Sequence, residues 1–463
     1  KEEILESYIN RIYFGSGCYG IETASRMYFD KPASALTLAE SALLAGLIRS
    51  PTRLSPLNNP EGSLQQREVV LGRMRELGWI TPEERAGAMQ EPLRLSKKPR
   101  PPAPTDNWAM DAVRREMESI LAEVGYETGG LLVYTTIDPA LQRVTEASIS
   151  RRLEAIESLS VFPHASRREI LALRGTDYLQ AAVMALDHRN GAVLAIAGGR
   201  DFSQSRFNRV YFGRRQAGSV VKPFVLAHAF TRGMNPRTPI SDGRILRQEL
   251  PPNTGTYDPA NPDGKYDGDR PAGDVVVHSR NTMAVRVGLR AGLGGLADIL
   301  RRAGLGDPPI FPSITLGAFE TTLRDLTSAM TAFPNGGNQV HPFVIRKITT
   351  QDGRVLYQHR QVRTPLLDPE ASRQVTMLME EVMTRGTASG SRAMGLRGRA
   401  AGKTGTTNDF QDAWFVGFTG NLTIGVWAGF DRPRTIYPGG GGAQVALPIW
   451  VDLVSSPPAK RYR

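Results

Sequence analysis

Three short groups of residues in this chain carry side chains suited to acyl transfer. Ser219-Val-Val-Lys222 comes first, Ser279-Arg-Asn281 follows, and Lys403-Thr-Gly-Thr406 comes last. No other serine has lysine three places on, no other has asparagine two places on, and Lys-Thr-Gly occurs once. A serine hydroxyl becomes a competent nucleophile only when a base takes its proton. Residues three apart share a helix face, so a helical Ser219–Lys222 segment brings the amine to the hydroxyl. An ammonium is no base, so Lys222 must sit where its charged form is disfavoured, by burial or by a second cation. Lys403 can be that cation, and it can also pair with a substrate carboxylate. Ser279 offers a hydroxyl to pass a proton toward a leaving amine. Asn281 offers an amide that either holds a substrate amide or steadies Lys222.

These groups need a helix start, a turn and a strand to hold them. Ala217 and Gly218 leave room beside the start of the helix, where backbone N–H groups face developing negative charge. Pro223 is tolerated there because the first turn needs no donor at that position. Lys403-Thr404-Gly405-Thr406 precedes an aromatic run and reads as an edge strand on which a peptide lies by β-addition. Gly405 would let that ligand approach closely. The N–H groups of Ser219 and Thr406 would form an oxyanion hole, in which one lost donor costs about 10²–10³ in rate. Singly, each element has an ordinary reading: a helix cap, a solvated lysine, a strand end. Three unique elements in this order favour the chemistry.

Around them, residues 1–90 read as mainly helical, with capping boxes at Thr37-Leu-Ala-Glu40 and Thr81-Pro-Glu-Glu84. The proline-rich stretch from Lys97 to Pro104 marks a boundary, and residues 91–130 read as a linker with a connecting helix from Trp108 to Glu123. Leu131–Thr136 reads as a strand and Asp138–Leu153 as a helix. Val183–Ala197 has the form of a hairpin about Asn190-Gly191. Trp414–Thr419 and Thr423–Ala428 read as strands. The large C-terminal domain is expected to run from 131 to 455.

The formal charge is +11, and 48 of the 57 basic residues are arginine. Such a balance favours polyanions, but no zinc-finger spacing or aromatic-interleaved basic groove accompanies it, so nucleic acid is not expected as a partner. The single cysteine, Cys18, excludes an internal disulfide and a four-thiolate metal site. No run approaches the roughly 20 apolar residues of a membrane span.

The trio resembles the active site of the penicillin-recognising serine transferases and β-lactamases. Gly218–Phe224, Ala401–Thr407, Asp412–Gly417, Gly130–Pro139 and Ala332–Gly337 narrow the likeness to the transpeptidase domain of class A penicillin-binding proteins. That resemblance implies an α+β fold with an antiparallel sheet flanked by helices and no cofactor for the transpeptidase. It also implies an acyl-enzyme at Ser219 formed from the D-Ala–D-Ala end of a peptidoglycan stem peptide. By it, Lys222 is the acylation base and Ser279 the proton relay. Asn281, Lys403, Thr404, Gly405 and Thr406 lie on the substrate side, and β-lactams bind in the same place. The rival within serine chemistry is hydrolysis, as a D,D-carboxypeptidase or β-lactamase.

Lys1–Asn10, Tyr13–Gly20 and Leu36–Gly46 are similar to the later motifs of the lysozyme-like peptidoglycan glycosyltransferase. The glutamate-bearing motifs that open that family are expected to precede residue 1, together with a membrane anchor. The intact enzyme would polymerise a lipid-linked disaccharide precursor, with a divalent metal admissible for that half alone. Glu6 and Asn10 share a helix face as candidates for a glycan groove. Apolar faces at Ile4, Leu5, Ile9 and Leu43 are expected to lack partners. The resemblance places the enzyme at the outer face of the bacterial cytoplasmic membrane and admits cell-wall assembly proteins as partners.

Overall fold

The computed structural model describes residues 2–462 apart from 11, 17, 19, 97–106, 127–129, 174, 176, 253, 255–256 and 351. The expected boundary stretch Lys97–Pro104 lies outside the described residues. Contacts divide the chain into two units, one of residues 1–105, 118–133 and 347–357, the other of 106–117, 134–346 and 358–463.

In the first unit the helices Glu2–Ile9, Ile21–Phe29, Leu38–Leu47, Pro60–Glu76 and Pro82–Gln90 follow in order. Both expected capping boxes form. Thr37 Oγ1 accepts from Glu40 N–H at 3.2 Å while the Glu40 carboxylate accepts from Thr37 N–H at 2.8 Å, and Thr81 with Glu84 does the same. Apolar side chains at helical spacing then close a core of Phe14, Tyr28, Leu43, Leu44 and Leu47. Ile4 and Leu5 are exposed as expected. Leu43 is not: it is buried in that core, because Leu38–Leu47 is covered by its own neighbours within the unit.

The second unit is built on a five-stranded antiparallel sheet. Its strands are β1 (Gln180–Asp187), β2 (Ala192–Ala197), β3 (Ala401–Thr406), β4 (Asp412–Thr419) and β5 (Leu422–Gly429), in the spatial order β3-β4-β5-β1-β2. Every residue of β1, β4 and β5 is buried. Their near-continuous apolar sequence is what a sheet covered on both faces requires. Asp187 pairs with Ala192 across the expected Asn190-Gly191 turn, where Gly191 takes φ +88°.

The helices that cover the sheet or carry the site are α1 (Pro139–Glu157), α2 (Lys222–Thr231), α3 (Asn281–Ala291), α4 (Leu323–Met330), α5 (Pro369–Thr384) and α6 (Ala446–Ser455). Helices α1 and α6 pack on each other and on the sheet, with Trp450 of α6 edge-on to Phe415 at 5.1 Å between centroids. Helix α5 packs on β3 and on α2, and α2 in turn on α3. The second unit is thus an α+β domain in which one helix start and one helix N-terminus meet an edge strand.

Candidate active site

Ser219 sits in a 3-10 turn, Gly218–Val221, that runs directly into α2. The sequence predicts an α-helical turn here. The tighter turn eclipses residues three apart, so Ser219 and Lys222 still share a face. Gly218 adopts φ +54° and Gly317 φ +73°, and the two backbones touch: Gly218 N–H donates to the Gly317 carbonyl at 3.1 Å. A Cβ on Gly317 would lie 2.2 Å from the Gly218 carbonyl oxygen, so no side chain fits behind the nucleophile's turn.

Ser279 precedes α3 with φ +58°, a left-handed conformation that costs a residue with a side chain roughly 1–3 kcal/mol unless its surroundings impose it. The next residue does so. The Arg280 guanidinium is buried and donates to Asp242 at 2.9 Å from Nε and to both Asp263 oxygens at 2.9 and 2.8 Å. Asp242 is fully buried and also accepts from Thr282 and Asn261. Burial pushes the Asp242 carboxyl up, but its bonds to Arg280, Thr282 and Asn261 overcome that and hold it below its ordinary value.

Lys222 is fully buried, and its Nζ donates to Ser279 O at 2.6 Å, Ser279 Oγ at 3.2 Å and Asn281 Oδ1 at 2.7 Å. Lys403 is also fully buried and reaches the same Ser279 Oγ at 3.0 Å and Thr404 O at 3.0 Å. Burial pulls Lys222 well below the usual lysine range, and repulsion from Lys403 and Arg280 adds to it. Burial brings Lys403 down to about 7. Repulsion between the two amines is mutual and is felt by whichever gives up its proton first, here Lys222. Asn281 donates its other end to Ala260 O at 2.6 Å. Of its two expected roles, steadying Lys222 is the one visible in these bonds. Three acceptors around Lys222 Nζ match the ammonium that a neutral Lys222 becomes once it has taken a proton, which is then held beside Ser279 Oγ.

Strand β3 lies at the edge of the sheet, as expected. Thr407 N–H donates to Asp412 O at 3.2 Å, which sets the phase of the β3–β4 ladder. By strict alternation the N–H and C=O groups of Thr404 and Thr406 then point away from β4, to the open edge. Gly405 differs from its expectation. A Cβ there would meet Val220 Cγ2 at 2.6 Å and Trp414 Cβ at 3.0 Å, so the close approach it permits is of β3 onto the Ser219 turn rather than of a ligand.

Ser219, Ser279, Asn281, Thr404 and Thr406 all line one cavity of about 460 Å³. Lys222 and Lys403 do not; they stand behind Ser279. Among the lining residues that the sequence did not single out as site residues are Leu316, Thr387, Asp409 and Gln444. Thr387 shares a hydroxyl contact of 2.7 Å with Thr404, across a sequence gap that offers no local signal. Asp409 had one, its place three residues after Thr406. Glu6 and Asn10 are in the other unit. Glu6 is exposed and Asn10, just past the helix end, is half-buried, its N–H donating to Glu6 O at 3.1 Å. Among the described residues no cluster of His, Cys, Asp and Glu is placed to hold a metal, and no helix is long and apolar enough to cross a membrane.

Residues 1–75 match the Transglycosylase family and residues 181–427 the penicillin binding protein transpeptidase domain. Penicillin-binding protein 1A of Aquifex aeolicus is 31% identical over 98% of this chain and 70% of its own length. The chain belongs to the penicillin-binding protein 1A family. The protein of the same name from Neisseria gonorrhoeae is also 31% identical, over 98% of this chain and 68% of its own. The crystal structure of Haemophilus influenzae penicillin-binding protein 1A superposes with a TM-score of 0.74 at 23% identity, covering 98% of this chain and 85% of that one. PonA1 of Mycobacterium tuberculosis, solved in complex with penicillin V, gives 0.62 at 25% identity over 76% and 93%. The α+β architecture expected from the motifs is therefore the family's own. The activity is that of a serine-type D,D-transpeptidase within a bifunctional glycosyltransferase–transpeptidase. Membership carries with it a general extracytoplasmic, membrane-associated location.

Proposed function

We propose that the cavity performs acyl transfer through Ser219 with the roles that follow. Neutral Lys222 takes the Ser219 proton as Oγ attacks the carbonyl of the penultimate D-alanine. The N–H groups of Ser219 and Thr406 hold the oxyanion. As the C–N bond breaks, Ser279 hands its proton to the leaving D-alanine and is resupplied through the lysine amines. An amine of a second stem then attacks the acyl-enzyme, and the same groups run in reverse. Thr404 and Thr406 take the substrate carboxylate, with Lys403 supplying positive potential from behind Ser279. The observation that carries this reading is a fully buried Lys222, one turn from Ser219, bonded to Ser279 and Asn281. Labelled penicillin followed by peptide mapping tests it: the adduct is expected on Ser219 and absent in Ser219→Ala, and an adduct on any other residue refutes the assignment.

For the front part we infer a lipid-linked disaccharide as substrate, with Glu6 and Asn10 bordering the glycan path. The support is the family match over residues 1–75 together with the exposure of Glu6. Any divalent-metal dependence belongs to that half, and metal titration of glycan synthesis by the complete enzyme tests it. We also propose that the transpeptidase domain spans 131–455 and works on the outer face of the cytoplasmic membrane, with cell-wall assembly proteins as partners.

A further inference from the structure

One charge stands on the wall of the Ser219 cavity. Its other described lining residues, among them Pro262, Leu316, Thr387, Phe410 and Gln444, are neutral, and both site lysines are withdrawn behind Ser279. The exception is Asp409, an exposed carboxylate with no hydrogen bond or ion pair among the described residues.

Its placement is built rather than incidental. Asp409 and Phe410 both hold left-handed backbone, φ +57° and +55°, in the short loop that joins β3 to β4. Two consecutive side-chain-bearing residues in that region persist only where the surroundings impose them. Here the loop is clamped at its base. Thr407 Oγ1 donates to Asp412 Oδ2 at 3.0 Å and accepts from Asp412 N–H at 2.9 Å, and Asp412 Oδ1 accepts from Trp427 Nε1 at 2.9 Å. The tip is pinned as well, since Ile436 N–H donates to Phe410 O at 2.9 Å. The carboxylate is thus presented at a fixed point beyond Thr406, past the end of the edge strand.

We propose that Asp409 is the recognition point for a primary ammonium group carried by a stem peptide. A carboxylate there repels the donor's own terminal carboxylate, which steers that end toward Thr404 and Ser279. It attracts an ammonium on the remainder of the donor or on the incoming acceptor. This rests on the transpeptidase reading of the cavity and assigns a substrate feature to it.

The test compares a D-Ala–D-Ala peptide bearing one free side-chain amine with its N-acetylated twin, in the wild type and in Asp409→Asn. Covalent labelling of Ser219 by penicillin is scored separately, so a failure of the serine assignment is read independently. In the wild type the amine-bearing donor should be preferred in kcat/KM by about three- to tenfold, the range of a partly solvated ion pair. That preference should shrink with added salt and approach unity in Asp409→Asn. A second arm follows the ratio of aminolysis to hydrolysis as a free-amine acceptor peptide is titrated. There, Asp409→Asn should need a several-fold higher acceptor concentration if the ammonium is the acceptor's. Loss of preference in the first arm assigns the donor, and a shift in the second assigns the acceptor. Twin peptides affected equally by the substitution, with an unchanged acceptor titration, overturn the proposal.

Discussion

Replacing Lys403 by methionine should move the acid limb of Ser219 acylation to higher pH. Both lysine Nζ atoms bond to one Ser279 oxygen, at 3.2 and 3.0 Å, so they lie no more than about 6 Å apart. Two unit charges at that separation repel by about 3 kcal/mol at an effective dielectric near 20, or roughly two pH units. Lys222 works as a base only when neutral, so the acid limb tracks its proton affinity in the folded enzyme. A charged Lys403 lowers that affinity, and in the wild type it is charged below about 7. Deleting the charge lets Lys222 hold its proton to higher pH, and the limb should rise by about those two units. Lys403→Arg keeps the charge at every pH, so its limb should not rise. Stopped-flow acylation by a chromogenic cephalosporin across the acid and neutral range gives both the limb and the plateau. A plateau that falls while the limb stays fixed would refute the electrostatic reasoning and leave Lys403 a recognition role alone.

Removing Asp242 by alanine leaves the buried Arg280 with Asp263 alone and takes an acceptor from Thr282 and Asn261, which should cost about 1–3 kcal/mol in denaturant unfolding, with acylation reduced as Ser279 loses part of what imposes its backbone. Gly405→Ala puts a Cβ 2.6 Å from Val220 and should cost about 1–3 kcal/mol, while slowing acylation more than it lowers penicillin affinity, since it parts Thr406 from the Ser219 turn. Stability of the wild type should rise with pH between about 7 and the unfolded lysine value near 10, because the unfolded chain there binds a proton that folded Lys403 does not. Thermal melts should show that slope reduced in Lys403→Met, which should be the more stable protein at neutral pH; equal slopes would mean that Lys403 is not held neutral.

The trio was legible because its chemistry is local. Ser219 and Lys222 lie one turn apart, Ser279 and Asn281 flank one residue, and Lys403 to Thr406 is one strand. The strands were legible because Val183–Leu186 and Trp414–Phe418 are apolar on both faces. What lay beyond reach depends on distant residues. Arg280 sat inside the Ser279–Asn281 pattern, yet its partners Asp242 and Asp263 are 38 and 17 positions away with no periodicity to join them. Gly405 is the instructive case. Its lack of a side chain was legible, but which neighbour needed the space, Val220 rather than a ligand, is set by how β3 meets the turn. Leu43 was misread for a related reason: a sequence shows that a face is apolar, not what covers it.

The site's parts oppose stability in one direction. Two lysines are buried where their charges are disfavoured, a serine is held in left-handed backbone, and a third cation, Arg280, is buried beside them. Each is offset by a neighbour that has no contact with substrate. Asp242 and Asp263 neutralise Arg280, Gly317 backs the Ser219 turn, and the Asp412–Thr407 clamp closes the β3–β4 loop. The offsets are selective. Arg280 has two carboxylate partners, whereas among the described residues Lys222 and Lys403 bond only to neutral oxygens. A carboxylate beside Lys222 would stabilise the fold and raise that lysine's proton affinity, which would end its use as a base. Withholding counter-ions from the two lysines while supplying them to the arginine one residue from Ser279 is therefore what separates the amines of the site from its structural cation.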